Sequence, residues 1–130
     1  MLIDKNMRIL VVDDFKSMRD LIRNVLKKAG FTNIVDAEDG EEAWKIIEKE
    51  WIELVISDWN MPNMPGIDLL KKVRASESYK DLPFLMVTAE GLKDNVVVAI
   101  QAGVSGYIVK PFSPSTVEQK IQKIFDKINK

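Results

Sequence analysis

The sequence predicts an α/β fold, a single parallel sheet of five strands with helices packed on both of its faces. Two observations carry this expectation. Short β-rich runs alternate with stretches of helical periodicity along the chain, and the runs are apolar throughout, as in strands buried on both sides. A length of 130 residues suits one domain with its own core.

The elements follow in order. "MRILVVD" over 7–13 reads as the first strand. "FKSMRDLIRNVLKKAG" then sets Met18, Leu21, Ile22, Val25, Leu26 and Ala29 on one helical face, with Gly30 as its stop. "NIVDA" over 33–37 is a short strand, and 40–50 a helix carrying Ala43, Trp44 and Ile47. "ELVIS" over 53–57 is the third strand and 66–75 the third helix. "FLMVTA" over 84–89 is the fourth strand, followed by a helix over 92–102 that ends at Gly103. "GYIVK" over 106–110 is the fifth strand, and the last helix aligns Val117, Ile121, Ile124, Phe125 and Ile128. Within the fourth helix Val96, Val97 and Val98 are β-branched, which costs helix propensity. Val97 and Ile100 are expected to pack on the sheet. The three valines cannot all face inward, so at least one is expected on the surface beside Tyr107, as part of an apolar patch suited to a partner.

Composition removes several function classes. Nineteen basic against twenty acidic residues give a net charge of −1, which argues against general nucleic-acid binding. With no cysteine and no histidine, thiol chemistry, imidazole bases and His-ligated zinc are excluded. No early apolar run has the length of a signal-peptide core or membrane span, so a cytoplasmic protein without membrane insertion is expected. Glycine-rich phosphate loops are missing.

Parallel sheets bind ligands beyond the carboxyl ends of their strands. There the sequence places Asp13 and Asp14, then Asp58, Thr88, and Lys110 before Pro111. Singly, each has a local explanation. Asp14 reads as a helix cap, Asp58 as a turn former before "WNMPNMPG", Thr88 as a strand residue and Lys110 as a solvated lysine. Together they bring three carboxylates to one sheet edge, where two charges about 4 Å apart repel by roughly 4 kcal/mol at an effective dielectric near 20. A hard cation with oxygen ligands, Mg²⁺, suits such a site. Lys110 and Thr88 are then the groups to hold phosphoryl oxygens.

"LVVDDFKSMRDLIRNVLKKAGF", "AEDGEEAWK", "VISDWNMPNMPGIDLL", "LMVTAE" and "AGVSGYIVKPFSPSTVEQKIQKIF" together resemble the receiver domain of bacterial response regulators, the chemotaxis branch in particular. The resemblance implies a doubly wound, flavodoxin-like sheet of order 2-1-3-4-5 in a single receiver domain over 1–130, with 1–6 as a flexible extension. It implies that Asp58 accepts a phosphoryl group from a kinase phosphohistidine or from acetyl phosphate. It assigns Mg²⁺ to Asp14, Asp58 and the Asn60 backbone carbonyl directly, and to Asp13 largely through a water. Lys110 would pair with the phosphoryl group, Thr88 would donate its hydroxyl to it, and Tyr107 would turn inward on activation. Asn60 and Glu90 would tune how long the phosphate lasts. The partner surface would include Gly91, Lys93, Val96, Tyr107, Val109 and Lys120.

By the same resemblance the phosphodonor is the chemotaxis histidine kinase CheA and the target is the flagellar motor switch protein FliM, with room for a dedicated phosphatase. The chain would be a monomeric switch that catalyses only its own phosphorylation and slow dephosphorylation. Pro65 departs from the acidic residue common before the glycine in chemotaxis receivers, but "MPG" still reads as a tight turn. Three other readings stand beside this one. A relay passing phosphate to a histidine phosphotransferase would share every site residue. A haloacid-dehalogenase-type phosphatase needs a D-x-D pair that "DDF" lacks. A flavin-binding module needs a Ser/Thr-rich loop after the first strand.

Overall fold

The structure, a computed structural model, describes residues 4–89, 93–110 and 112–128, and for residues 93 and 94 the backbone alone. In chain order it contains β1 (Ile9–Val12), α1 (Lys16–Lys28), β2 (Ile34–Ala37), α2 (Gly40–Lys49) and β3 (Leu54–Asp58). These are followed by α3 (Gly66–Ala75), β4 (Phe84–Thr88), α4 (Lys93–Gln101), β5 (Gly106–Val109) and α5 (Pro114–Ile128). The strands form one parallel sheet in the order β2-β1-β3-β4-β5, as expected.

Period-two alternation divides the strands between two cores. Ile9, Val11, Leu54, Ile56, Leu85 and Val87 face one way and meet Ile22, Val25 and Leu26 of α1 and Val117, Ile121 and Ile124 of α5. Leu10, Val12, Val55, Phe84 and Met86 face the other way and meet Ala43 and Ile47 of α2 and Leu69, Leu70 and Val73 of α3. Burial on both sides is why the strands read as unbroken apolar runs. Gly30 ends α1 at φ 100, a conformation that favours glycine, and Phe31 N–H closes the turn on Leu26 O at 3.0 Å. Residues 4–6 are tied down here too. Lys5 Nζ donates to Ala29 O at 2.8 Å and stands 4.4 Å from the centre of the Phe31 ring.

Four expected core residues lie on the surface. Leu21 is 48% exposed. At about 100° per residue it stands roughly 80° from the centre of the stripe formed by Met18, Ile22, Val25, Leu26 and Ala29, beyond the reach of the sheet. Val97 and Ile100 are exposed, because α4 turns Ala99 inward as its buried residue and both branched side chains stand about 100° or more from it. Val98 is exposed as well, so the expected apolar surface on this helix is present. Ile128, in the final turn of α5, is exposed beside Trp51 along a cleft at the amino-end pole of the sheet.

Candidate functional site

Strand order reverses at β1, which pairs with β2 on one side and β3 on the other. Val12 lies opposite Ser57, so the next residues, Asp13 and Asp58, reach the carboxyl rim side by side. Asp13 is fully buried and Asp58 nearly so. One carboxylate oxygen from each of Asp13, Asp14 and Asp58 lies within 4.8 Å of the other two. Lys110, just past β5, answers this charge. Its Nζ is 3.4 Å from Asp13 Oδ2 and 3.3 Å from Asp58 Oδ1. Burial pushes the Asp58 carboxyl above its ordinary value; Lys110 opposes that shift and Asp13 adds to it.

Asp14 is not a helix cap. The N-cap of α1 is Phe15, no side chain caps it, and Phe15 N–H donates instead to Asp13 Oδ1 at 2.9 Å. Asp14 Oδ1 is buried and has no hydrogen-bond partner among the described residues. A buried acceptor without a donor is costly. An under-satisfied carboxylate, grouped with two others beside a lysine, fits a hard divalent cation such as Mg²⁺.

The chain after Asp58 must turn sharply and stay close. A Cβ at position 66 would overlap the Asp58 carbonyl oxygen, so only glycine lets α3 begin there, and Gly66 N–H donates to Trp59 O at 2.8 Å. Pro65 is the N-cap of α3, and Asn63 adopts φ 66, a left-handed conformation to which asparagine is suited. Asn63 Nδ2 donates to Asp39 Oδ2 at 2.7 Å, while Asp39 Oδ1 accepts from Glu42 N–H at 2.9 Å and caps α2. Those bonds, Glu42 first and Asn63 second, hold the Asp39 carboxyl below its ordinary value. The loop carrying Asn60 is thereby fastened to the start of α2.

A family model described as the response regulator receiver domain matches residues 9–122. This chain belongs to that family. Over 127 residues it is 49% identical to chemotaxis protein CheY-3 of Vibrio cholerae, covering 98% of both chains. Over 123 residues it is 50% identical to chemotaxis protein CheY of Pseudomonas aeruginosa, covering 95% of this chain and 99% of the relative. Among solved structures it resembles the chemotaxis response regulator CheY4 of Vibrio cholerae. The TM-score is 0.84 at 35% identity, covering 92% of this chain and 98% of that one. The chain is thus a receiver closely related to chemotaxis regulators, with a response regulator role.

In this receiver Asp13, Asp14, Asp58 and Lys110 come together as expected from the strand ends. Thr88 ends β4, fully buried, one residue past the Val87 that pairs with Asp58. Lys110 N–H donates to Thr88 O at 2.7 Å, which joins the rim of β5 to it. Asn60 is exposed two residues past Asp58. Tyr107 is half-buried on β5 and packs against the core beneath α2 and α3. Val96 and Lys120 are half-buried and Val109 is exposed. Glu90 and Gly91, and the side chain of Lys93, lie outside the described residues, as does Pro111.

Sequence reasoning passed over several supports of the site. Ser57 Oγ donates to Asp58 O at 2.9 Å. Arg19 is buried under the Asp13–Asp14 turn, and Arg74 ties the loops before β4 and β5. The Asp39-x-x-Glu42 spacing of a capping box was a usable sign for the cap. Nothing in the spacing marks Arg19 as buried, because arginines at 19 and 23 share the same helix face.

Proposed function

We propose that this receiver is a chemotaxis response regulator that accepts a phosphoryl group on Asp58 and then binds the flagellar motor switch. The observation that carries this reading is a buried carboxylate, Asp58, held at a strand end by a lysine and flanked by two more acidic side chains. A carboxylate oxygen of Asp58 attacks the phosphorus of a histidine kinase phosphohistidine. A P–O bond forms, the P–N bond breaks, and the departing imidazole nitrogen keeps the electron pair and takes a proton from solvent. Lys110 favours the ionised, nucleophilic form of Asp58 and then offsets the charge of the phosphoryl oxygens. Thr88, buried on the neighbouring strand, donates its hydroxyl to one of those oxygens. Asp13, Asp14, Asp58 and the Asn60 carbonyl would hold Mg²⁺, which when bound supplies positive charge for the transferring group.

The chain is a phosphoacceptor with slow self-dephosphorylation rather than an enzyme turning over free substrate. It works in the cytoplasm, where the kinase is CheA and the motor protein is FliM. Support for the chemotaxis assignment comes from the names of relatives that it matches over almost their whole length. Exposed Val97 and Val98 on α4 and Val109 on β5 offer the apolar surface that a switch partner needs. None of the helices in the described residues is long and apolar enough to cross a membrane.

Two measurements test the proposal. Acetyl phosphate with Mg²⁺ should add one phosphoryl mass to the wild type and none to Asp58→Asn; equal uptake by the variant would remove Asp58 from its role. Beryllofluoride with Mg²⁺ should tighten binding to purified FliM. An unchanged affinity, alongside efficient transfer to a histidine phosphotransferase, would instead make the chain a relay.

A further inference from the structure

One buried cation beneath the acidic cluster has no part in the phosphoryl chemistry. Arg19, in α1, is only 8% exposed. Its Nη1 donates to Asp13 O at 2.8 Å and its Nε to Asp36 Oδ2 at 3.0 Å. Arg23 Nη2 stands 3.4 Å from the other oxygen of Asp36, which fixes that carboxylate from a second side. The Arg19 guanidinium therefore joins the middle of β2 to the backbone turn that leaves β1.

Its reach matters because of what Asp13 O belongs to. The Asp13 carbonyl and the Asp14 N–H share one planar peptide, so a donor that holds the carbonyl sets the orientation of the whole unit. Asp13 has other restraints: its N–H donates to Ala37 O at 3.2 Å, and its carboxylate accepts from Phe15 N–H and faces Lys110. Asp14 Oδ1 has no hydrogen-bond partner among the described residues, so the direction of that carboxylate depends largely on its own backbone. The Asp36 side chain is 38% exposed, so the ion pair by itself adds little stability.

We propose that Arg19 is a positioning residue for the cation site. By holding the Asp13–Asp14 peptide it aims the Asp14 carboxylate at the oxygens of Asp13 and Asp58. The inference rests on the reading that these carboxylates hold a divalent cation. It makes a prediction opposite in sign to plain electrostatics. A guanidinium near a cation site repels the cation, so its removal should tighten binding if charge were the whole effect. If Arg19 acts through geometry, its removal weakens binding.

The test is Mg²⁺ titration of the purified full chain, followed by the fluorescence of Trp59 beside Asp58, with urea unfolding measured in parallel. Arg19→Met should bind Mg²⁺ about 10-fold more weakly, the scale typical of a group that orients a ligand. Arg19→Lys keeps the charge but not the fork that serves both acceptors, and should weaken binding in the same direction. Should both variants fail to fold, Asp36→Asn releases one anchor of the guanidinium, and its weakening should persist at high salt, where a purely electrostatic loss is screened. Wild-type affinity in Arg19→Lys, tighter binding in Arg19→Met, or a weakening in Asp36→Asn that high salt abolishes would each overturn the inference. A wild-type protein that ignores Mg²⁺ altogether would overturn the cation reading itself, and this inference with it.

Discussion

Replacing Asp14 with asparagine should stabilise the metal-free protein. The Asp14 carboxylate lies within 4.8 Å of those of Asp13 and Asp58, and its buried oxygen has no donor among the described residues. At an effective dielectric near 20, each such pair repels by about 3.5 kcal/mol, so the substitution removes about 7 kcal/mol of gross repulsion. Attraction to Lys110 and the solvent that reaches half-buried Asp14 reduce this to a net gain of about 2 kcal/mol, or roughly 8 °C in melting temperature. Asp13→Asn should gain less. It relieves similar repulsion but breaks the 3.4 Å contact with Lys110, an attraction of about 5 kcal/mol on the same scale. The assay is thermal unfolding in chelator and again in millimolar Mg²⁺. Mg²⁺ should raise the wild-type midpoint, because it binds the folded state alone, and leave Asp14→Asn unmoved. A variant that melts at or below the wild type in chelator would refute the reasoning, as would one that responds to Mg²⁺ as strongly as the wild type.

Other perturbations have equally definite outcomes. Gly66→Ala sets a methyl against the Asp58 carbonyl and should cost more than about 3 kcal/mol by urea unfolding; a cost under about 1 kcal/mol would mean that α3 can retreat freely. Arg74 donates to Gly103 O, Lys80 O, Leu82 O and Ser105 Oγ, so Arg74→Lys should lose about 2 kcal/mol of stability while Mg²⁺ affinity stays unchanged. For Asp58, whose carboxyl is raised, the folded state holds its proton to higher pH than the unfolded state. Metal-free stability should therefore fall as pH rises from the ordinary carboxylate range through the raised value, and Asp58→Asn should flatten that fall. If the proposed function holds, Thr88→Ala should still take up phosphate yet lose most of the gain in FliM affinity on activation, a coupling of about 1–3 kcal/mol; a full activation ratio in the variant would route the coupling elsewhere.

The sheet was legible because its strands are buried on both faces, so five apolar runs alternated visibly with helical stretches. The acidic rim was legible for a related reason: Asp13, Asp14 and Asp58 stand where apolar runs stop. Helix faces were less so. Leu21 and Ile128 fit their stripes by spacing, but spacing does not report where the sheet ends or which arc a neighbouring helix covers. In α4 five consecutive residues, Val96 to Ile100, are apolar, and only packing selects Ala99 as the buried one among them. Arg19 and Arg74 were illegible for a different reason. Arg19 serves the carbonyl of Asp13 and Arg74 those of Gly103 and Leu82, and a carbonyl leaves no trace in residue identity.

The contrast between these arginines and the acidic rim bears on how the receiver works as a switch. Arg74 spends its donors on four oxygens and Arg19 on two well-placed acceptors, so each local network is close to saturated. At the rim Lys110 contacts two of the three carboxylates, and Asp14 Oδ1 has no donor among the described residues. A saturated network has little to gain from a ligand, whereas an unsaturated one responds to any cation or phosphoryl group that completes it. A ligand shifts an equilibrium only by its differential affinity for the two states. The rim can supply that difference because its three carboxylates crowd together at the ends of β1 and β3, two of them buried. The route outward is short: Thr88 ends the strand beside Asp58, its carbonyl accepts from Lys110, and β5 carries Tyr107 and exposed Val109 next to it. On this argument the instability of the resting site and its capacity to signal have the same origin, and a substitution that cures the first should silence the second.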